Sequence, residues 1–235
     1  MENVVQGYDG SRHGPSTEVA SNVKNRGHKK EYVFAERVGG DVVKGTQKPD
    51  VIKEENRYSV KGAAENIQLL LLSYKKSEMF YGFDHPLYQF QLAAYNHKKF
   101  KFDNYNDISL ELFETFKDSA NVAAEWLLNK DNFRFVIEKV LTDDYDANKL
   151  VVLKEADQDA LVYDMREVVD LYVNSNYKVH VTKGAKVVVS CGNKEIFYLE
   201  IRGSAGKIGS MNHGVRARQF YSFIQENLTY EIISK

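Results

Sequence analysis

The chain has 235 residues, of which 43% are hydrophobic and 28% are charged, and its formal net charge is −1. This composition indicates a mostly globular chain with enough apolar residues for the core of one large domain. The single cysteine, Cys191, excludes a disulfide within the chain and a zinc site built on several cysteines, and the longest aliphatic run, residues 67–72, is far shorter than a membrane span of roughly 20 residues.

The same features predict where the protein works. A chain with one cysteine is expected in the reducing cytoplasm. Its N-terminal sequence "MENVVQGYDGSRHG" is polar and lacks the basic-then-apolar pattern of a signal peptide, so we expect no membrane partner.

Charge is distributed unevenly along the chain. Residues 103–172 contain 17 acidic and 7 basic residues, a net charge of −10, whereas residues 173–220 contain 8 basic and 2 acidic residues, a net charge of +6. This asymmetry predicts one surface that repels polyanions and another that attracts them. The alternative is the ordinary fluctuation of charge along any chain.

The first third of the chain predicts a helix followed by a hairpin. Residues 1–27 are rich in Gly, Ser, Asn and His and predict an N-terminal arm. Helical spacing over residues 29–38 predicts a helix that the glycine pair at 39–40 ends. "DVVKGT" predicts a short strand or turn, and "PDVIK" and "RYSVK" predict two strands joined by "EEN".

The middle of the chain predicts mainly helices. "AAENIQLLLLSYKK", residues 63–76, predicts a buried helix, and "HPLYQFQLAAYNHKKF" predicts another with Pro86 in its first turn. Helical spacing predicts three more helices, in "ISLELFETFKDSANVAAEWLLNK", "NFRFVIEKVL" and "DQDALVYDMREVVDLYVNS".

The hydrophobic period changes near residue 177. "YKVHVT", "AKVVVS" and "EIFYLEIR" predict strands, "GVRARQFYSFIQEN" predicts a helix and "TYEII" predicts a last strand. The expected fold class is therefore α/β, in the sense of mixed α+β. We expect an arm at 1–27 and one domain at 28–235, divided into a catalytic core (28–100), a helical region (101–172) and a β-rich region (173–235) that contacts DNA.

The predicted hairpin brings an aspartate and a lysine together only if its loop has an even number of residues. A loop of Glu55 and Asn56, or a loop of four residues, places Asp50 opposite Lys61 and puts Ser59 on the same face. A three-residue loop would place Asp50 and Lys61 on opposite faces. A carboxylate that holds a divalent cation, next to a lysine that orients water, is the arrangement that metal-assisted phosphodiester hydrolysis needs.

"PD…SVK" resembles the motif of the PD-(D/E)XK nuclease superfamily, which includes many type II restriction endonucleases. In that superfamily the aspartate after proline binds Mg²⁺ and the lysine ends a (D/E)-x-K triplet on the next strand; Asp50 and Lys61 match these positions, and Ser59 replaces the usual acid. The resemblance covers about residues 29–75. It implies a restriction-endonuclease-like core, a mixed β-sheet flanked by helices, here with a helical middle insertion.

The resemblance also implies a reaction and its ligands. The protein would be a Mg²⁺-dependent endonuclease that cuts double-stranded DNA as a homodimer, with Lys61 orienting the attacking water and Ser59 bonding to a water of the metal shell. Asp50 and Glu36, on the preceding helix, would bind the metal. The third ligand stays open between Glu36, Glu65 and Glu78.

Two alternatives stay open. "QLAAY", from Gln91 to Tyr95, matches the Q-x-x-x-Y signature of RecB-like repair nucleases, which would cut without sequence preference. In the other alternative the protein binds DNA without catalysis and the hairpin is merely structural. An ordinary amphipathic helix also explains the glutamine and the tyrosine, because residues four apart share a helical face.

Residues 199–219 combine glycines with side chains that donate hydrogen bonds. Arginine and asparagine can read base edges in a groove and lysine pairs with phosphate. The residues expected to contact DNA are Arg202, Lys207, Asn212, His213, Arg216 and Arg218. A solvated basic loop and a nucleotide-binding loop are the alternatives, although Ile208 occupies the Ser/Thr position of a phosphate-binding loop.

Overall fold

The computed structural model describes residues 17–43, 49–62, 66–103, 110–142, 146–203 and 209–235. In these residues the helices α1 to α7 are Thr17–Val38, Tyr74–Tyr81, Pro86–Asp103, Leu110–Leu128, Lys130–Thr142, Met165–Asn174 and Ala217–Asn227. The strands β1 to β11 are Asp41–Val42, Val51–Lys53, Asn56–Gly62, Asn66–Leu72, Lys149–Leu153, Ala160–Asp164, Tyr177–Val181, Val187–Cys191, Lys194–Ile201, Met211–Arg216 and Glu231–Ile233. The mixed α+β class is confirmed. None of the described helices is long and apolar enough to cross a membrane.

The first sheet is mixed and has the order β1-β2-β3-β5-β6-β11. β3 and β5 are parallel, and the other neighbouring pairs are antiparallel. Helix α1 packs on one face, where Phe34 contacts Tyr58 edge to face with ring centroids 5.1 Å apart. Successive residues of a strand point to opposite faces, so the neighbours of Tyr58 along β3 point away from α1.

The second sheet is antiparallel and has the order β4-β10-β9-β8-β7. One of its faces is apolar and belongs to the larger core, together with residues of helices α3 to α7. That core also includes Leu150 and Val152 of β5, so it extends from the second sheet to the first.

The helix predicted over residues 63–76 is wrong. Residues 66–72 form β4, which pairs with β10, and Ser73 caps the following helix α2 by accepting a hydrogen bond from the Lys76 backbone. Within the strand Ile67 and Leu69 are buried while Gln68 between them is exposed. A run of four leucines fits a helical and a strand period equally, and pairing with β10 decides between them.

Three other strands were missed or taken for helix. β5 lies inside the region predicted to be helical and joins the first sheet beside β3. β6 occupies the start of the helix predicted at 157–175, and its last residue, Asp164, accepts a hydrogen bond from Arg166 N (2.9 Å) to cap α6. β10 likewise occupies the start of the helix predicted at 214–227, which begins only at Ala217. The region 101–172 is therefore not a purely helical insertion.

The other predicted elements are confirmed, with changes at their ends. Helix α1 ends at Val38 as predicted but begins at Thr17, inside the predicted arm, whose residues 1–16 lie outside the described part. Helix α3 begins at Pro86. The strands near residues 177–201 form the expected antiparallel ladder, and β11 is the expected last strand.

Candidate functional site

The hairpin between β2 and β3 has the even loop that the site requires. Lys53 pairs with Asn56, so the loop consists of Glu54 and Glu55, one residue earlier than expected. Glu54 has φ of +54°, in the left-handed region that residues other than Gly, Asn and Asp rarely adopt. The tight turn fixes which side chains of the two strands share a face.

The register differs by two residues from the predicted one. Val51 pairs with Tyr58, and the Asp50 backbone N–H donates to Tyr58 O at 2.8 Å. Asp50 therefore lies beside Ser59 and diagonal to Lys61, not directly opposite Lys61 as predicted. The parity is unchanged, so Asp50, Ser59 and Lys61 still share one face of the sheet.

The carboxylate of Asp50 gathers three donors from β3. Its Oδ2 accepts hydrogen bonds from Val60 N at 2.6 Å, Ser59 Oγ at 3.3 Å and Lys61 Nζ at 3.4 Å. Ser59 is fully buried, and the side chains of Asp50 and Lys61 are only 19% and 15% exposed. The three residues that the motif singled out therefore meet in a mostly desolvated place, where electrostatic interactions are stronger than at the surface.

A backbone carbonyl joins this group. Both polar groups of a strand residue point to the same side of the strand, and Val60 N–H points to Asp50, so Val60 C=O faces the same way. Lys61 Nζ lies 3.4 Å from Val60 O as well as 3.4 Å from Asp50 Oδ2. The Lys61 ammonium group therefore lies next to two oxygens, Asp50 Oδ2 and Val60 O, of the kind that bind hard cations such as Mg²⁺.

These oxygens fit Mg²⁺ in number and type. Mg²⁺ keeps several waters and is commonly held by one or two carboxylates plus substrate phosphate. The hydrogen bonds that the described residues make to the Asp50 carboxylate are to its Oδ2. Those residues contain no group of three or more His, Cys, Asp or Glu side chains that could hold a metal by themselves. A cation here would therefore depend on Asp50, Val60 O, water and the phosphate of the substrate.

The predicted additional carboxylates do not join the site. Glu36 is exposed on α1, which packs on the face of the first sheet that carries Val60, whereas Lys61 points to the other face. The described contacts do not bring Glu36 to Asp50, so a metal shared by the two stays a prediction. Glu78 is exposed on α2. Glu65, like the predicted DNA contact Lys207, lies outside the described residues.

Gln91 and Tyr95 hold elements together. Gln91 is fully buried, and its Nε2 donates to Leu72 O (3.1 Å) and Gly209 O (2.6 Å). Tyr95 stacks on Tyr74 with ring centroids 4.8 Å apart and packs directly against Gly209. Both side chains therefore link α3 to the second sheet, and their packing accounts for the spacing without a catalytic role.

Two of the predicted DNA contacts lie inside the protein. Asn212 is 3% exposed and His213 is fully buried, both on β10. Asn212 donates to Tyr198 Oη at 3.5 Å, and His213 Nε2 lies 2.8 Å from Tyr81 Oη. Neither side chain can reach a base edge from these positions, so these two predictions are corrected.

The predicted arginines lie nearer the surface. Arg202 donates to Gln68 Oε1 at 2.8 Å, and Arg216 Nε lies 3.5 Å from Glu195 Oε1. Arg216 and Arg218 are exposed. These three side chains remain candidates for phosphate contacts.

Burial of His213 makes stability depend on pH. Desolvation lowers the pKa of His213 to about 4, whereas an unfolded histidine titrates near 6.5. Between these values the unfolded chain binds the extra proton, so stability is complete above about pH 6.5 and falls as the pH decreases towards 4. Protonation would also remove Nε2 as the acceptor for Tyr81, whose own pKa burial raises, so that Tyr81 keeps its proton.

We expect the loss of unfolding free energy between pH 7 and pH 4 to be about 3 kcal/mol smaller in His213→Gln than in the wild type. Urea unfolding at the two pH values measures this difference. His180→Gln removes an exposed histidine and is the matched control. Equal pH dependence in the wild type and in His213→Gln would contradict the assignment.

Similarity to known proteins adds no constraint on this site. No protein-family model matches the chain, and no curated protein is significantly similar to it. A function has to be inferred from the chemistry of Asp50, Lys61 and their neighbours, because a mixed α+β fold by itself does not define one.

Proposed function

We propose that the protein is a Mg²⁺-dependent endonuclease that hydrolyses phosphodiester bonds of double-stranded DNA, of the type II restriction kind. The observation that supports this most is the meeting of Asp50, Lys61 and the Val60 carbonyl at a mostly buried point of a tight hairpin. An aspartate and a lysine on neighbouring strands supply the metal ligand and the cation that this chemistry requires.

Each residue of the site would have a separate role in the reaction. Asp50 and the Val60 carbonyl would hold Mg²⁺, which when bound polarises the phosphodiester and makes water a better nucleophile. Lys61 Nζ would donate a hydrogen bond that orients the attacking water and would stabilise negative charge on the phosphate oxygens. The water oxygen would bond to phosphorus as the bond to one deoxyribose oxygen breaks, while the attacking water loses a proton to solvent and the leaving oxygen takes one up from solvent. Ser59 would hold the Asp50 carboxylate in place through its hydroxyl.

The proposal carries further expectations. Cutting both strands of a palindromic site favours a homodimer, because a two-fold axis relates the two strands. The single cysteine is in keeping with work in the cytoplasm. A RecB-like role is less favoured, because Gln91 and Tyr95 already serve in packing.

Digestion of long phage DNA tests the proposal. Purified protein is incubated with several unrelated, unmethylated DNAs in Mg²⁺ or in EDTA, and the products are separated on a gel. We expect discrete fragments in Mg²⁺ and intact DNA in EDTA. A smear would move the assignment to a nuclease without sequence preference. Intact DNA on every substrate would overturn the proposal and favour a protein that binds DNA without cutting it.

A further inference from the structure

The second sheet has a face that points away from the larger core. The register aligns one row across all five strands: His180, Val188, Tyr198, Gly214 and Gln68. Their neighbours along the strands belong to the apolar core, so this row lies on the other side of the sheet. We call this side the outer face.

The outer face is polar and exposed at both edges of the sheet. His180 and Lys178 are exposed on β7, and Gln68 is exposed on β4. Glu200 and Arg216 are exposed on the strands between them. The middle of the outer face is buried, since Val188, Tyr198 and Asn212 are each only 3% exposed, so a ligand can reach the exposed side chains around this strip.

Basic side chains outnumber acidic ones on the outer face. Its cations are Lys178, Lys186, Arg202 and Arg216, and its carboxylates are Glu195 and Glu200. Both Lys186 (2.7 Å) and Arg216 (3.5 Å) contact the same carboxylate oxygen, Glu195 Oε1. One carboxylate shared by two cations leaves a positive excess, which attracts a polyanion.

Helix α4 has the opposite character. Its exposed acidic residues are Glu111, Glu114, Asp118 and Glu125. Their spacing places them along one side of the helix, where they repel phosphate. The contrast between this helix and the outer face gives an approaching polyanion a preferred direction.

The spacing of the outer-face cations suits duplex DNA. Lys178 pairs with Ser190, Ser190 pairs with Glu195, and the Glu195 side chain contacts that of Arg216, so this path crosses the sheet from β7 to β10. Three strand spacings, about 14 Å, separate the backbones that carry Lys178 and Arg216. The major groove of DNA is about 12 Å wide, so two cations at this separation can reach phosphates on both sides of the groove.

We infer that the outer face of the second sheet binds the phosphate backbone of duplex DNA, with Lys178 and Arg216 as the outlying contacts. This inference rests on the proposed function for the identity of its ligand. It replaces the buried Asn212 and His213 by Lys178 of β7, which no sequence motif singles out, and keeps Arg216 of β10 from the predicted contacts. Backbone contacts of this kind fix the position of the duplex and do not read its sequence.

The test measures binding separately from cleavage. Fluorescence polarisation follows a duplex of about 30 base pairs, in EDTA, at salt concentrations from about 50 to 200 mM. The double variant Lys178→Gln/Arg216→Gln is expected to bind at least about tenfold more weakly and to reduce the slope of log affinity against log salt by about 2, because two phosphate contacts are lost. Circular dichroism and thermal unfolding verify that the variant is folded.

Lys117→Gln/Lys130→Gln is the matched control, because it removes the same charge from exposed positions on α4 and α5. An equal effect of the two double variants would overturn the inference, as would the absence of any duplex binding by the wild type or a preference for single-stranded DNA. Binding that depends on the outer face, without any cleavage in Mg²⁺, would support the inference and overturn the proposed nuclease.

Discussion

Replacing Lys61 by alanine is expected to lower the rate of Mg²⁺-dependent DNA cleavage by at least about 10³-fold. The ammonium group lies 3.4 Å from both Asp50 Oδ2 and Val60 O, where it can reach water and phosphate bound to a cation that these oxygens hold. Asp50→Asn is expected to lose as much, because an amide binds Mg²⁺ far more weakly than a carboxylate. The single-turnover rate on supercoiled plasmid measures both effects.

The controls come from the same part of the chain. Lys53→Ala removes a lysine from the same hairpin, and Asp41→Asn removes an exposed carboxylate from the adjoining strand β1. Both controls are expected to cut DNA within about threefold of the wild type, because surface charges of this kind contribute little. Cleavage by Asp50→Asn or Lys61→Ala at the wild-type rate would show that the hairpin is only structural.

The affinity of these variants for duplex DNA distinguishes a loss of catalysis from a loss of DNA binding. Asn at position 50 still offers an oxygen to Val60 N–H, so the hairpin is expected to keep its form. Lys61→Ala leaves the Asp50 carboxylate with two of its three donors, Val60 N and Ser59 Oγ. Both variants should therefore bind duplex DNA like the wild type while failing to cut it. Loss of binding together with cleavage would assign the hairpin a role in contacting DNA.

The sequence predicted the centre of the site because that centre is local. Asp50 and Lys61 are eleven positions apart, and one turn of even length suffices to place them on the same face. The exact pairing could not be predicted, because a two-residue turn at Glu54 and Glu55 satisfies the same parity as one at Glu55 and Asn56. Parity depends on the strand period, whereas register depends on which turn conformation is adopted.

Contacts between distant residues explain what the sequence did not predict. Glu36 is near the motif in sequence, but α1 packs on the opposite face of the first sheet. In the sequence, Asn212 and His213 are indistinguishable from surface hydrogen-bond donors. In the structure they are buried, and their hydrogen-bond partners are Tyr198 and Tyr81. Tyr81 and His213 are 132 positions apart, and no local pattern predicts that pair.

There is a separate physical reason why the sequence pattern did not predict the strands β4 and β10. β4 contains consecutive leucines, which do not distinguish a helical period from a strand period. β10 carries polar residues at buried positions, where Asn212 bonds to Tyr198 and His213 lies within hydrogen-bond distance of Tyr81. By contrast, β7 keeps a readable alternation, and β7 and β9 are each joined to β8 by a tight turn, so both were predicted correctly.

Replacing Phe133 by alanine is expected to lower the unfolding free energy by about 3–5 kcal/mol. Its ring is fully buried and lies 4.7 Å from the ring of Tyr177, 6.0 Å from that of Phe197 and 6.4 Å from that of Tyr172, measured between centroids. The truncation leaves a cavity where α5, α6 and the second sheet meet. Urea unfolding followed by circular dichroism measures the loss.

Phe135→Ala is the control for that prediction, because it deletes the same ring two residues away on α5 at a side chain that is 38% exposed. Phe135→Ala should lower the unfolding free energy by only about 1–2 kcal/mol, because part of the apolar surface of Phe135 already faces water. Equal losses in the two variants would contradict the placement of Phe133 at the centre of the core.

If the helices and the second sheet share one core, Phe133→Ala should shift the unfolding of both together. Tryptophan fluorescence from Trp126 on α4 should then follow the same transition as circular dichroism. Two separate transitions would instead mean that the helices fold independently of the sheet that carries the outer face.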